Sequence, residues 1–251
     1  MIDIQSADGI ARITLCAPPL NILNRALLRE FREALNNLRN EASLRVLLID
    51  AEGKNFSAGA SVNEHLPPEC DEMLADFAAT VLALYEFPVP VMAVVQGRCL
   101  GGAFELVQAA DLIVAAEDAQ FGQPEILLGV FAPVACALLP ARIGPARAAE
   151  LLFTGDPISA RHASEAGLVA SVVGRSELAA ESLALAQRIA RHSATTLRMT
   201  KRALRVAADR SPRHGITAAT HLYTKELMAS HDALEGLQAF GQKRVPQWSN
   251  Q

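Results

Sequence analysis

The chain has 251 residues, enough for one large domain and a sizeable buried core. Half of it is apolar (51%) but only 5% is aromatic, so Ala, Leu and Val must fill much of the interior. A net charge of −4 argues against nucleic acid as the main partner, and no apolar run approaches the ~20 residues of a membrane span.

Met1-Ile2-Asp3-Ile4 lacks the basic start and long apolar stretch of a signal peptide. Without an export signal, the scattered Cys16, Cys70, Cys99 and Cys136 read as reduced thiols, and a cytoplasmic location is expected. Ile2 to Gln5 and Ile10 to Leu15 alternate around Ala7-Asp8-Gly9 and predict a hairpin. Pro18-Pro19 then breaks the chain. Leu27, Leu28, Phe31, Ala34, Leu35 and Leu38 recur at helical spacing over 25–40, with Asn24 as N-cap. Val46-Leu47-Leu48-Ile49 reads as a strand buried on both faces.

A small-residue loop follows, Gly53 to Ala60. Residues 71–86 predict a helix ended by Pro88 and Pro90, and Val91 to Val95 a second buried strand. A helix starting near Gly102 and a strand at Leu112 to Ala115 continue the alternation, which favours parallel strands with right-handed crossovers. Beyond Gly144-Pro145 helices are predicted over 146–153, 177–192, 195–208, 214–229 and 232–242, with no strand signal after about Val173.

Three segments carry candidate chemistry: Phe56-Ser57-Ala58-Gly59-Ala60, Gln96 to Glu105 around Leu100-Gly101-Gly102, and Gln120-Phe121-Gly122-Gln123-Pro124-Glu125. Strand–loop–helix junctions expose backbone N–H groups, and glycine lets a ligand approach them. Two such loops facing each other could offer two donors to one carbonyl oxygen. Glu105 and Glu125, close by in sequence, suit general acid–base work. Taken singly, each segment has a plainer reading: a Gly-Gly pair is usually close packing, and a lone glutamate is usually solvated. Gly53-Lys54 lacks the rest of a phosphate-binding loop, Ser57 lacks the flanking glycine of a nucleophile elbow, and the six histidines form no metal motif.

In this order and spacing, the three segments resemble the crotonase, or enoyl-CoA hydratase/isomerase, family. Pro19-Leu20-Asn21-Ile22-Leu23-Asn24 and Phe240-Gly241-Gln242-Lys243-Arg244 extend the resemblance over nearly the whole chain. It implies an α/β fold: a spiral of strand–strand–helix (ββα) turns over residues 1–194 and a helical trimerisation segment over 195–251. A homotrimer or homohexamer is implied with it. The oxyanion donors would be the N–H groups of Ala60 and Gly102, and the catalytic pair Glu105 and Glu125. The Ala58 backbone would meet the adenine end of CoA, and Lys243 a CoA phosphate, in its own or a neighbouring subunit. The implied partner is an acyl-CoA thioester. No metal and no cofactor are expected beyond the CoA that the substrate carries.

Both carboxylates together favour hydration. A double-bond isomerase on the same scaffold, with one glutamate shuttling the proton, is the alternative. Some crotonase-like proteins bind RNA; here the basic run Arg198, Lys201, Arg202, Arg205 and Arg210 would have to serve, but it reads better as solvated or phosphate-facing surface.

The chain departs from simple hydratases at Ser61, where aspartate is usual, at Asn63, where a basic residue is common, and over Gly129 to Ala137, where a Gly-rich run lines the acyl pocket. Phe131, Val134 and Cys136 suggest a pocket reshaped for another acyl group. The segment Ala58 to His65 and the Phe131-Ala132-Pro133-Val134 run look like the cyclohexa-1,5-dienecarbonyl-CoA hydratase subgroup.

Overall fold

The computed structural model describes residues 1–208 and 211–250. Strands β1 (Ile2–Ala7) and β2 (Ile10–Leu15) pair antiparallel, with Ala7 opposite Ile10. Asp8 and Gly9 join them with φ of 54° and 78°, the two left-handed residues that a tight, twist-matched hairpin turn requires. Helix α1 (Arg25–Leu38) buries the six apolar residues of its stripe, and the Asn24 side chain accepts from the Leu27 N–H at 2.9 Å as its cap.

Strand β3 (Val46–Ala51) leads through helix α2 (Cys70–Tyr85) to β4 (Val91–Val95). The chain continues through the short β5 (Arg98–Leu100) and helix α3 (Gly102–Gln108) to β6 (Leu112–Ala116). Next come β7 (Gln120–Gly122), α4 (Pro133–Ile143), α5 (Pro145–Thr154), β8 (Ile158–Ser159), α6 (Ala160–Glu165), β9 (Ser171–Val173) and α7 (Leu178–Ala190). One sheet has the order β1-β2-β3-β4-β6-β9 and is parallel from β2 onward. Its central strands alternate between two apolar layers, as a period of two demands. Leu47, Ile49, Ala93, Val95, Ile113 and Ala115 face the main core with α1 and α2, whereas Val46, Leu48, Met92, Val94 and Val114 face α7.

The second sheet, β5-β7-β8, lies outside the predicted pattern. Its strands are two or three residues long and too short to show a period. Helix α4 was likewise not expected, because Pro140 lies inside it and its apolar residues form no clean stripe. The predicted helix over 214–229 is interrupted: α9 (Pro212–Lys225) stops, Leu227–Ala229 forms a 3-10 turn, and α10 (His231–Gly241) restarts at the cap Ser230.

Helix α8 (Ala194–Ala208) buries Lys201 and engages its other basic residues with neighbouring elements. Lys201 and Arg205 both bind Asp111 (2.7 and 2.8 Å), Arg205 also covers the Tyr85 ring, Arg202 pairs with Glu226, and Arg198 donates to the Glu41 carbonyl. These four cations are therefore engaged within the chain and form no free stripe for a polyanion; Arg210 lies outside the described residues. The tail is strapped down at Asp232, which accepts from Ser193 Oγ (2.6 Å), Ser249 N and Oγ (2.7 and 2.8 Å) and Asn250 N (2.9 Å). Burial alone would raise the Asp232 pKa; these hydrogen bonds outweigh it and hold the carboxyl at about 2. Among the described residues no helix is long and apolar enough to cross a membrane.

Candidate active site

The three segments singled out in the sequence meet at the carboxyl ends of β3 and β4, where open α/β sheets commonly present ligand sites. The loop after β3 runs beside the strand that follows Gly97: Ser57 N donates to Arg98 O (3.0 Å) and Leu100 N to Ser57 O (3.2 Å). On its other side it pairs with residues 20–23. Ala58 N donates to Leu20 O (2.8 Å), Leu23 N to Gly59 O (3.0 Å) and Ser61 N to Leu23 O (3.3 Å).

This ladder uses the N–H groups of Ala58 and Ser61 and skips that of Ala60, which points the other way. Gly59, at φ 110°, makes the turn possible; a Cβ there would stand 2.8 Å from the Leu100 carbonyl oxygen. Gly102 opens α3, so its N–H has no partner inside the helix. A Cβ on Gly102 would fall 3.2 Å from Ala60 N and 3.1 Å from Ala60 Cβ. Two adjoining peptides, each with an N–H that no protein acceptor takes among the described residues, thus face one small volume. Such a pair can donate to a single carbonyl oxygen.

Glu105 sits on α3 and is only 4% exposed. Its Oε1 accepts from Val134 N (2.8 Å) and Ala135 N (3.0 Å) in the first turn of α4. Burial pushes its pKa up to about 7, the Glu125 charge adds to the rise, and the two N–H donors oppose it. Glu125 lies in a 3-10 turn, Pro124–Leu128, half-buried, and burial raises its pKa too. Its Oε1 is 2.9 Å from where a Gly101 Cβ would be, so the missing side chain at Gly101 makes room for this carboxylate. Gly101 has φ 55° and ψ −132°, a conformation open to glycine alone. The structure thus brings Ala60, Gly102, Glu105 and Glu125 together.

The other expected site residues are placed less tightly. Ala58 is half-buried beside this volume. Phe131 is 72% exposed and Cys136 is exposed, flanking the start of α4, while Val134 touches the site through its N–H on Glu105. Lys243 lies two residues past α10, at φ 54° and exposed, and its side chain has no partner among the described residues.

Sequence reasoning passed over two buried amides behind Glu125. With its amide turned to satisfy both neighbours, Gln123 donates to Glu125 Oε2 (3.0 Å) and Oε1 (3.2 Å) and accepts from Gln108 Nε2 (3.1 Å). A glutamine in the wholly buried helix α3 was the available signal, since buried polar groups need partners. Asn21 belongs to the Pro19 to Asn24 motif, and its place after Pro18-Pro19 marks it as a turn residue.

An α/β fold with two N–H groups that no protein acceptor takes, beside two buried carboxylates, defines an enzyme-like site able to polarise a carbonyl and move protons next to it. The family model described as enoyl-CoA hydratase/isomerase matches residues 5–251, and the chain belongs to that family and is an enzyme of that type. It is 42% identical to a cyclohexa-1,5-dienecarbonyl-CoA hydratase of Thauera aromatica, over 98% of this chain and 95% of that protein. It is 34% identical to the 2,3-dehydroadipyl-CoA hydratase of Escherichia coli K12, over 97% and 96%. The crystal structure of an enoyl-CoA hydratase from Bacillus anthracis superposes with a TM-score of 0.95 at 32% identity, covering 100% of this chain and 99% of that one.

Proposed function

We propose that this chain adds water across a carbon–carbon double bond conjugated to a CoA thioester, and that the acyl group is a cyclic diene of the cyclohexa-1,5-diene-1-carbonyl type. The carrying observation is the pair Glu105 and Glu125, both raised in pKa, beside the N–H groups of Ala60 and Gly102. The thioester oxygen lies between those two donors, which draw electron density from the alkene. Glu105 takes a proton from water as its oxygen bonds to the β-carbon. Charge builds on the thioester oxygen, and Glu125 delivers a proton to the α-carbon. The pair then shares one proton fewer on one side and one more on the other, and exchange with water resets it. Carboxyls tuned towards neutrality can both give and take protons at working pH.

The similarity to a dienecarbonyl-CoA hydratase supports the cyclic acyl group, and so do Ser61 and the segment from Phe131 to Cys136. In this reading Phe131, Val134 and Cys136 shape the acyl pocket. Ala58 receives the adenine end of CoA, and the unpaired Lys243 reaches a CoA phosphate. No cofactor is needed other than that CoA. The active form is a homotrimer or homohexamer in the cytoplasm.

The test is a panel of crotonyl-CoA and cyclohexa-1,5-diene-1-carbonyl-CoA in 18O-labelled water. Label in the product and a higher kcat/KM for the cyclic ester are expected. Preference for the linear ester refutes the acyl group, and turnover without label refutes hydration in favour of isomerisation.

A further inference from the structure

The loop that carries Ala60 has no secondary structure of its own, yet its carbonyls are taken one after another. Gln96 Nε2 holds Ala51 O (2.6 Å), and Arg175 holds Gly53 O (3.1 Å) and Lys54 O (3.2 Å) from the half-exposed side. On the inner side a single amide does the rest. Asn21 Nδ2 donates to Glu52 O (2.9 Å), Asn55 O (3.2 Å) and Phe56 O (3.0 Å). Its Oδ1 accepts from Ala17 N (2.9 Å), its own N–H returns to Ala17 O (2.9 Å), and the residue is 0% exposed. Every polar atom of the carboxamide is therefore engaged, in a φ of 48° that Asn tolerates better than most residues.

The backbone around Asn21 is also the partner of the Ala60 segment. Leu20 and Leu23 take the N–H groups of Ala58 and Ser61. In an extended pair, a shift of one residue turns each inward group outward. Such a slip would consume the Ala60 N–H in the ladder and leave its neighbour facing Gly102.

We propose that Asn21 is a positioning residue of the oxyanion hole: its buried carboxamide fixes the register between segments 20–23 and 58–61, and so keeps the Ala60 N–H aimed at the thioester oxygen. Asn21 itself touches no substrate. The inference rests on the assignment of Ala60 and Gly102 as donors, and it holds for any reaction that polarises a thioester there.

The test separates aim from binding. Asn21→Gly accepts the left-handed φ without strain and removes only the carboxamide. Asn21→Asp keeps the acceptor for Ala17 N but loses the donor to the three carbonyls. With cinnamoyl-CoA as probe, the wild type should red-shift the conjugated absorption of the bound thioester. Both variants should lose most of that shift while Kd for the probe changes less than about threefold. In turnover, kcat should fall about 10²-fold, the cost of an active group displaced by about an ångström, with KM little changed.

A full red shift and full kcat in either folded variant overturn the proposal. So does a loss of fold in both, checked by circular dichroism, because Asn21 would then serve the core rather than the site. A wild type that polarises cinnamoyl-CoA yet hydrates nothing would refute the hydratase reading and leave this one standing. A wild type that binds the probe without any shift would refute the donor pair, and the role of Asn21 with it.

Discussion

Glu105→Gln is expected to make the protein more stable and less active at the same time. The Glu105 carboxyl is buried, and its pKa rises from the ordinary 4.5 to about 7. A raised pKa means that the folded protein holds this proton more tightly than the unfolded chain. The associated stability is complete below pH 4.5 and is lost as pH rises through about 7. The loss amounts to about 3 kcal/mol at pH 8, taking about 1.4 kcal/mol per tenfold change in proton affinity. Glutamine keeps an oxygen for the N–H groups of Val134 and Ala135 and has no proton to lose. Urea unfolding of both proteins, at one protein concentration and from pH 5 to pH 8, should therefore diverge. The variant should gain about 2–3 kcal/mol relative to wild type across that range. Its kcat for hydration should fall by about 10²–10⁴-fold. A stability difference that stays flat with pH, or shrinks as pH rises, would refute the view that burial governs this carboxyl.

Glu125→Gln should also lower kcat by about 10²–10⁴-fold while acyl-CoA affinity, read by calorimetry, stays within a few-fold; a fast variant would remove Glu125 from the mechanism. Gly102→Ala brings a methyl 3.2 Å from Ala60 N and 3.2 Å from Phe77 Cε2, prising the two donors apart. Steady-state kinetics should show kcat down about 10²-fold with the thermal midpoint nearly held. Asp232→Asn should destabilise by about 2 kcal/mol at pH 6, because the lowered pKa contributes stability above pH 3.8 that is lost as pH falls through about 2. The gap to wild type should close in acid unfolding near pH 2, and a gap that persists there would point to packing instead.

Much of the large sheet was legible because its strands are long enough to show their layers: Val46 to Ile49 and Val91 to Val95 are buried on both faces, as their unbroken apolar runs imply. The stripe of α1 and its Asn24 cap were equally plain. The small sheet was not, since Arg98–Leu100 and Gln120–Gly122 owe their strand form to each other's backbone rather than to any side-chain pattern. Within the site, the glycines and carboxylates could be read because their residue types are rare at such junctions. The amides of Asn21, Gln108 and Gln123 offered only local signals, and their partners could not be read, because these are carbonyls, carboxylates and each other across the fold. A break such as Glu226 in the predicted helix over 214–229 depends on where α10 docks, through Ser230 and Asp232, and not on local propensity.

The bond between Glu105 and the first turn of α4 ties two properties that are usually tuned apart. The segment from Phe131 to Cys136, which would decide the shape of the acyl group, is also the segment whose N–H groups oppose the burial that holds the proton on Glu105. Any repacking that moves the start of α4 must shift these two donors and the burial of the carboxyl together, and so change its affinity for its proton. Substrate range and working pH are then a single mechanical variable, so relatives with differently shaped pockets should carry matching displacements in their pH–rate profiles.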